Sequence, residues 1–328
     1  MNAVNASTAR RTIKAAFASP WGWRTLGALM RAPGVIVLTY HRIVGDQPSL
    51  PGVSVAHFDA QMKWLRDNCE PIGPEALVER SRETSRARPA ALVTFDDGYR
   101  SYHDLAYPVL KRYRIPALNF LVTSLVDEPG ILWTDRVQWA ALTTPRASVC
   151  VPWMNGGAYL SLPDRAARDR FGLAARTLLK TIPNALRRAR VEELVAILGG
   201  SPPRERQMTS WDEVRRTMDL TTYGGHTHSH CILSRVDRAI AAREIGTCRD
   251  RIAAETGVVP TCFAFPNGTS ADFTPETQDV LRENGFQISF STIEGIAGAA
   301  TDWMAVRRIA GIDADVPAFV WVAAGLAS

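Results

Sequence analysis

Short apolar runs alternate with stretches of helical spacing along most of this chain, and that alternation constrains its fold more than any other feature. Gly34-Val35-Ile36-Val37-Leu38-Thr39-Tyr40-His41 reads as a buried strand ending in a polar residue. His57 to Asn68 follows, with Phe58, Met62 and Leu65 at the spacing of a helix packed on that strand. The apolar run Pro89-Ala90-Ala91-Leu92-Val93 comes next, after a polar stretch from Ser81 to Arg88. Ser101 to Tyr113 is then helical and Ile115 to Thr123 a further strand. Farther on, the spacing predicts a short helix over Trp211–Leu220, a helix over Asp237–Thr256 and a strand over Cys262–Phe265. A helix over Pro275–Asn284, stopped by Gly285, and a strand over Gln287–Ser291 complete the pattern. Such alternation implies a parallel sheet, closed or distorted into a barrel.

The strand ending near Val93 delivers Asp96 and Asp97 at its C-terminal end, where Gly98 allows a sharp turn. In parallel α/β folds that end of a strand is where ligands and catalysis collect. Two neighbouring carboxylates cannot both face apolar core without a compensating charge. A metal ion resolves the conflict, with one carboxylate as ligand and the other free to take a proton; an Asp helix cap beside an exposed neighbour is the alternative. A second cluster, Gly224-Gly225-His226-Thr227-His228-Ser229-His230, places three of the six histidines within five residues. His226 and His230, four apart, would share one face of a helical turn as two ligands of one cation, with His228 pointing away. A His-rich surface loop is the alternative. Joined to the Asp pair, the cluster completes a site of one carboxylate and two imidazoles, which is the composition of a hydrolytic metal centre.

Thr94-Phe95-Asp96-Asp97-Gly98, His226-Thr227-His228-Ser229-His230 and Phe263-Ala264-Phe265-Pro266-Asn267-Gly268 together resemble the three motifs of the polysaccharide deacetylase family, carbohydrate esterase family 4, in family order. The resemblance implies a distorted (β/α) barrel of that family's type and a metal-dependent hydrolase that removes N-acetyl groups from a carbohydrate, in a polysaccharide, oligosaccharide or glycolipid. It implies Asp97, His226 and His230 as ligands of one divalent metal, with Zn²⁺ first and Co²⁺ or Ni²⁺ also suited, and Asp96 as general base. The backbone N–H of Asn267, after Pro266, is implied as oxyanion donor, and Tyr99, after the first motif, as a substrate-binding residue. The sequence departs from the family pattern twice. Ala264 stands where an Arg usually pairs with the base, and Arg307 or Arg308 is expected to supply that charge, Arg308 foremost. No histidine follows His230, although the family's general acid usually lies in a C-terminal Leu-x-His. Leu38-Thr39-Tyr40-His41 resembles the arrangement of circularly permuted members, which makes His41 the expected acid; a structural core histidine is the alternative.

The net charge of +5 belongs to residues 1–33, where Arg10, Arg11, Lys14, Arg24 and Arg31 meet no acidic residue. The remainder carries 33 basic and 33 acidic residues, which does not support nucleic-acid binding. The arm interleaves its charges with Phe17, Trp21 and Trp23, and reads as a terminal helix packed on the catalytic domain (residues 34–328), as a peripheral membrane contact, or as a twin-arginine export signal. Five scattered cysteines suit reduced thiols. A cytoplasmic enzyme, held at the inner membrane surface if the arm docks there, is the expectation. Residues 127–210 break the strand–helix alternation with Trp133, Trp139, Trp153 and an Arg-rich helical section over Asp164–Leu198. This reads as a helical insertion beside the site, for substrate recognition or as a scaffold helix pair. Two further readings stay open: an amide or cyclic-imide hydrolase on the same scaffold, and a catalytically silent glycan-binding module.

Overall fold

The computed structural model describes residues 34–323 apart from 47–49, 84–87, 129, 201–202 and 204, so the basic arm lies outside the described residues. Seven parallel strands form a barrel: β1 (Val35–Tyr40), β2 (Ala90–Phe95), β3 (Ala117–Leu121), β4 (Thr221–Gly225), β5 (Cys262–Ala264), β6 (Ile288–Glu294) and β7 (Val306–Ala310). Their order around the barrel follows the chain, and β1 closes it by pairing with β7 on one side (Leu38 beside Ile309) and with β2 on the other (Val35 beside Ala90 through Tyr40 beside Phe95). The wall is irregular. A two-residue strand, Glu70–Pro71, pairs with the start of β2, and β3 pairs with its end. The register between β6 and β7 also shifts between Phe290 and Glu294.

Strand parity explains the continuous apolar runs. Val35, Val37, Leu92, Leu118, Phe120, Ala264, Phe290 and Val306 pack together as the barrel interior. Their neighbours Ile36, Leu38, Tyr40, Val93, Phe95 and Ile309 point outward under the helices, so neither face of β1 or β2 meets water. The helix α1 (Val55–Asn68) is capped by Ser54, whose Oγ accepts from the His57 N–H, and it buries Phe58, Met62 and Leu65 against β1 and β2. Gln61 ties this helix to the barrel rim: it accepts from the Tyr40 hydroxyl and donates to the carbonyls of Ile312 and Ala314. The other α-helices among the described residues are α2 (Leu77–Arg82), α3 (Tyr107–Tyr113), α4 (Trp133–Thr143), α5 (Arg165–Leu179), α6 (Asn184–Leu198), α7 (Trp211–Arg216), α8 (Arg238–Thr256), α9 (Pro275–Glu283) and α10 (Val316–Ala323).

Residues 102–106 ahead of α3 form a π turn, since Pro108 has no N–H to give to the carbonyl four residues back. The Arg-rich section is two helices, α5 and α6, separated before Pro183. With α4 and a small hairpin (Ser148–Cys150 against Tyr159–Ser161) they pack Val137, Ala141, Phe171, Ala175, Leu179, Val191, Leu194 and Leu198 into a core of their own. The five cysteines are free thiols.

Candidate metal and catalytic centre

The ladder of β2 runs one residue past the strand, because the Asp96 N–H donates to the Tyr40 carbonyl at 2.9 Å. The chain then turns through Asp97 and Gly98, with φ of 79° and 76°. Aspartate tolerates the left-handed region better than most residues, and glycine enters it freely. The turn sends the two adjacent carboxylates to different partners.

Asp97 meets the histidines. Its Oδ1 lies 3.4 Å from His226 Nε2 and 3.2 Å from His230 Nε2, and all three residues are buried. His226 Nδ1 lies 2.7 Å from the Ala264 carbonyl, which fixes the tautomer and leaves Nε2 as a lone-pair donor toward Asp97. Burial opposes ionisation of Asp97, but its interactions with the His226 and His230 imidazoles outweigh it and hold the carboxyl well below the usual carboxylate range. Three donors of these types, mutually within 4.8 Å, fit a small divalent cation such as Zn²⁺, Co²⁺ or Ni²⁺.

The spacing of the histidines works by another route than a helical face. Residues 226–230 are a loop, with Thr227 and His230 at φ of 62° and 56°, so the expected helical turn is absent. Glu244 on α8 pins that loop: its carbonyl accepts from the His228 N–H, and its carboxylate accepts from the Ser229 N–H and hydroxyl. His228 turns away as expected, its Nδ1 3.0 Å from Thr123 Oγ1.

Asp96 meets Arg308. The guanidinium donates to both carboxylate oxygens at 2.7 Å, to Thr94 Oγ1 at 3.1 Å and to the Ser291 carbonyl at 2.8 Å, and both side chains are buried. Burial pushes the Asp96 carboxyl up, yet the Arg308 charge and hydrogen bonds more than offset this and keep it below the ordinary value. Parity on β7 separates the two expected arginines: Arg308 points into the barrel while Arg307 is exposed and donates to the Glu294 carbonyl. Ala264 is fully buried in the interior.

His41 follows β1, with its Nε2 3.8 Å from Asp96 Oδ2 and its side chain 50% exposed. It is therefore a rim residue and no part of the core. A cavity of about 390 Å³ opens beside it, lined among others by Thr39, Arg42, Tyr99, Asp135, Arg176 and Gly311. Tyr99 is buried there, its hydroxyl donating to Asp135 Oδ2 at 2.8 Å. Arg42 pairs with the same carboxylate at 2.6 Å and lies 4.1 Å over the Tyr99 ring. Pro266 is buried at the end of β5, and Asn267 sits at φ 64°. The Asn267 side chain donates to Asp272, and its carbonyl accepts from the Thr292 hydroxyl. Arg42, Asp135 and Arg176 escaped the sequence reading. Arg42 adjoins His41, which was its one signal; Asp135 and Arg176 lie in the insertion, where no motif marks them.

The sequence profile of the polysaccharide deacetylase family matches residues 83–147 and 171–289, which holds the Asp pair, the His cluster and Asn267 but neither His41 nor Arg308. The YxkH protein of Bacillus subtilis (strain 168) is 37% identical over 105 residues, 31% of this chain and 37% of that protein. A poly-beta-1,6-N-acetyl-D-glucosamine N-deacetylase of Staphylococcus aureus (strain MSSA476) is 30% identical over 86 residues, 26% of this chain and 30% of that protein. These alignments span about a third of each relative's length. Among solved structures, the deacetylase PplD of Streptococcus pyogenes superposes with a TM-score of 0.59 at 16% identity, over 88% of this chain and 97% of that one. IcaB from Ammonifex degensii superposes with a TM-score of 0.55 at 20% identity, over 89% and 97%. The barrel is theirs, and the profile match takes in more than half of the residues: the chain belongs to the polysaccharide deacetylase family.

Proposed function

We propose that the protein is a metal-dependent hydrolase that removes the N-acetyl group from a carbohydrate. The observation that carries this reading is the division of labour between two adjacent carboxylates, Asp97 facing two imidazoles and Asp96 facing Arg308. A binding groove needs no base beside a cation site. Asp97, His226 and His230 would hold one divalent ion, with Zn²⁺ the first choice. Such an ion, when bound, supplies Lewis acidity for an acetamide carbonyl and lowers the pKa of water.

The protein's own groups supply the rest. Asp96 takes the proton of the attacking water, and Arg308 keeps that carboxylate ionised and oriented. Asn267 offers its backbone N–H to the developing oxyanion. His41, on the same rim and exposed to the cavity, gives a proton to the departing sugar amine, which leaves poorly unless protonated. The cavity walls formed by Tyr99, Arg42 and Asp135 position the sugar.

Asp96→Asn tests the assignment. The amide preserves size and the cation ligands but cannot accept a proton, so turnover should fall by ~10²–10⁴-fold with cation content intact. Near-normal acetate release by this variant would remove Asp96 from the mechanism.

A further inference from the structure

The helix α5 is apolar on two sides. Its inner face, with Phe171, Ala175 and Leu179, packs into the core of the insertion. Arg170, Leu173, Ala174, Thr177 and Leu178 recur at the i, i+3, i+4, i+7, i+8 spacing of one further face, and all five are exposed. A solvent-facing helix surface is ordinarily polar, yet this one carries a single charge. Beside it runs a groove of about 490 Å³ between α5 and the small hairpin, lined among others by Met154, Leu160, Leu162, Leu178 and Arg170. Tyr159, on the hairpin strand that supplies Leu160, is 78% exposed, and Leu173 is 58% exposed. Tyr159, Leu173, Leu178 and Leu186 are four of the six large apolar side chains exposed among the described residues. Apolar exposure gathered in this way marks an interaction surface, whereas single scattered residues do not.

Charge narrows what that surface meets. Residues 144–191 hold nine basic side chains against only Asp164 and Asp169. The rest of the chain after the arm then carries 24 basic and 31 acidic residues, so the insertion is cationic on an otherwise acidic domain. Arg146, Arg170 and Arg188 are exposed and form no ion pair among the described residues, unlike Arg136 with Glu192 and Arg190 with Glu193. The N-terminal arm is a poor occupant, since it brings five more basic residues and no acid. A second copy packed face to face would set the same charge excess against itself. Packed against the acidic remainder of its neighbour, it would make a head-to-tail contact that builds rings or filaments. A bilayer with anionic headgroups answers both properties at once. Its phosphates accept from the guanidinium groups, and the leucines and the tyrosine enter the boundary between headgroups and acyl chains. No helix among the described residues is long and apolar enough to cross a membrane, and the contact is one of surfaces.

We propose that the outer face of α5 and the adjoining hairpin dock on the surface of an anionic phospholipid bilayer. The same helix lends Arg176 to the cavity beside His41, so docking brings that cavity to the bilayer. The inference is independent of the deacetylase reading.

Co-sedimentation of the full chain with vesicles tests it. One set is phosphatidylcholine alone, and the other carries phosphatidylglycerol as about one lipid in three, so that its surface is negative. The wild type should bind the second set at least ~10-fold more tightly, with the margin shrinking as salt rises. That preference alone does not separate the insertion from the basic arm, and two variants with the arm intact do. Leu173→Gln/Leu178→Gln should weaken binding to the anionic vesicles by at least ~10-fold, through loss of buried apolar area. Arg170→Gln should weaken it by about fivefold, the contribution of one basic residue at such a surface. All three positions are exposed, so melting temperatures should match the wild type. Wild-type affinity in both variants would overturn the proposal, because the arm alone would then hold the membrane. Equal binding to the two vesicle sets would overturn it as well. So would self-association of the wild type without lipid that disappears in the leucine variant, since the face would then belong to a second copy.

Discussion

Replacing Arg308 by Met removes the guanidinium that pairs with Asp96 and keeps most of the apolar bulk of the side chain. The pair is buried on both sides and bidentate at 2.7 Å, so removal leaves a carboxylate stranded in the barrel. Breaking such a pair typically costs about 3–5 kcal/mol, and the hydrogen bonds to Thr94 and the Ser291 carbonyl add about 1 kcal/mol each at most. The loss depends on pH with a definite sign. In the wild type the Asp96 pKa is depressed, so the pairing stabilises the fold above the unfolded carboxyl's pKa, ~3.9, and is lost as pH falls through the folded value. In the variant burial, which favours the protonated acid, is opposed only by the weaker pull of His226 and His41. The stability deficit should therefore be largest near neutrality and shrink in acid. Urea unfolding across pH reads this directly, and the acidic limb of kcat/KM should move to higher pH in parallel. A deficit below about 1 kcal/mol at pH 7, with an unmoved acidic limb, would refute the claim that Arg308 holds the base; that 1 kcal/mol is the level of one ordinary hydrogen bond.

The histidine loop and the rim acid give two further tests. His230→Ala should lose the bound cation while His228→Ala keeps it, because His228 turns to Thr123; elemental analysis of both proteins decides, and equal losses would contradict the ligand set. His41→Ala should retain cation content and melting temperature, since the side chain is half exposed, and should lose amide turnover more than turnover of acetyl esters, whose leaving group needs less help from an acid. Unchanged amide turnover would send the search for the acid elsewhere.

Most of the barrel was legible because parallel strands covered on both faces must be apolar throughout, as Val35–Tyr40 and Ala90–Phe95 are. The Asp pair was legible for the converse reason, as charge placed where such a strand ends. The choice between Arg307 and Arg308 was open because parity needs a register, and the register comes from β6 and β1. The loop over 226–230 was misread as a helical turn: the four-residue spacing suits either, and only Glu244, distant in sequence, shows which backbone forms. Asp135 and Arg176 were invisible since their proximity to His41 is created by the packing of α4 and α5 and by no local pattern.

The central claim is tested most directly by counting products. Wild-type protein, stripped with chelator and reloaded with Zn²⁺, is given a panel of N-acetylated oligosaccharides and glycolipids, and acetate and free amine are measured together. The account predicts that the two appear in equal amounts from at least one substrate, vanish on stripping and return with the metal. Undiminished release by stripped protein, or none from any substrate by loaded protein, would contradict it.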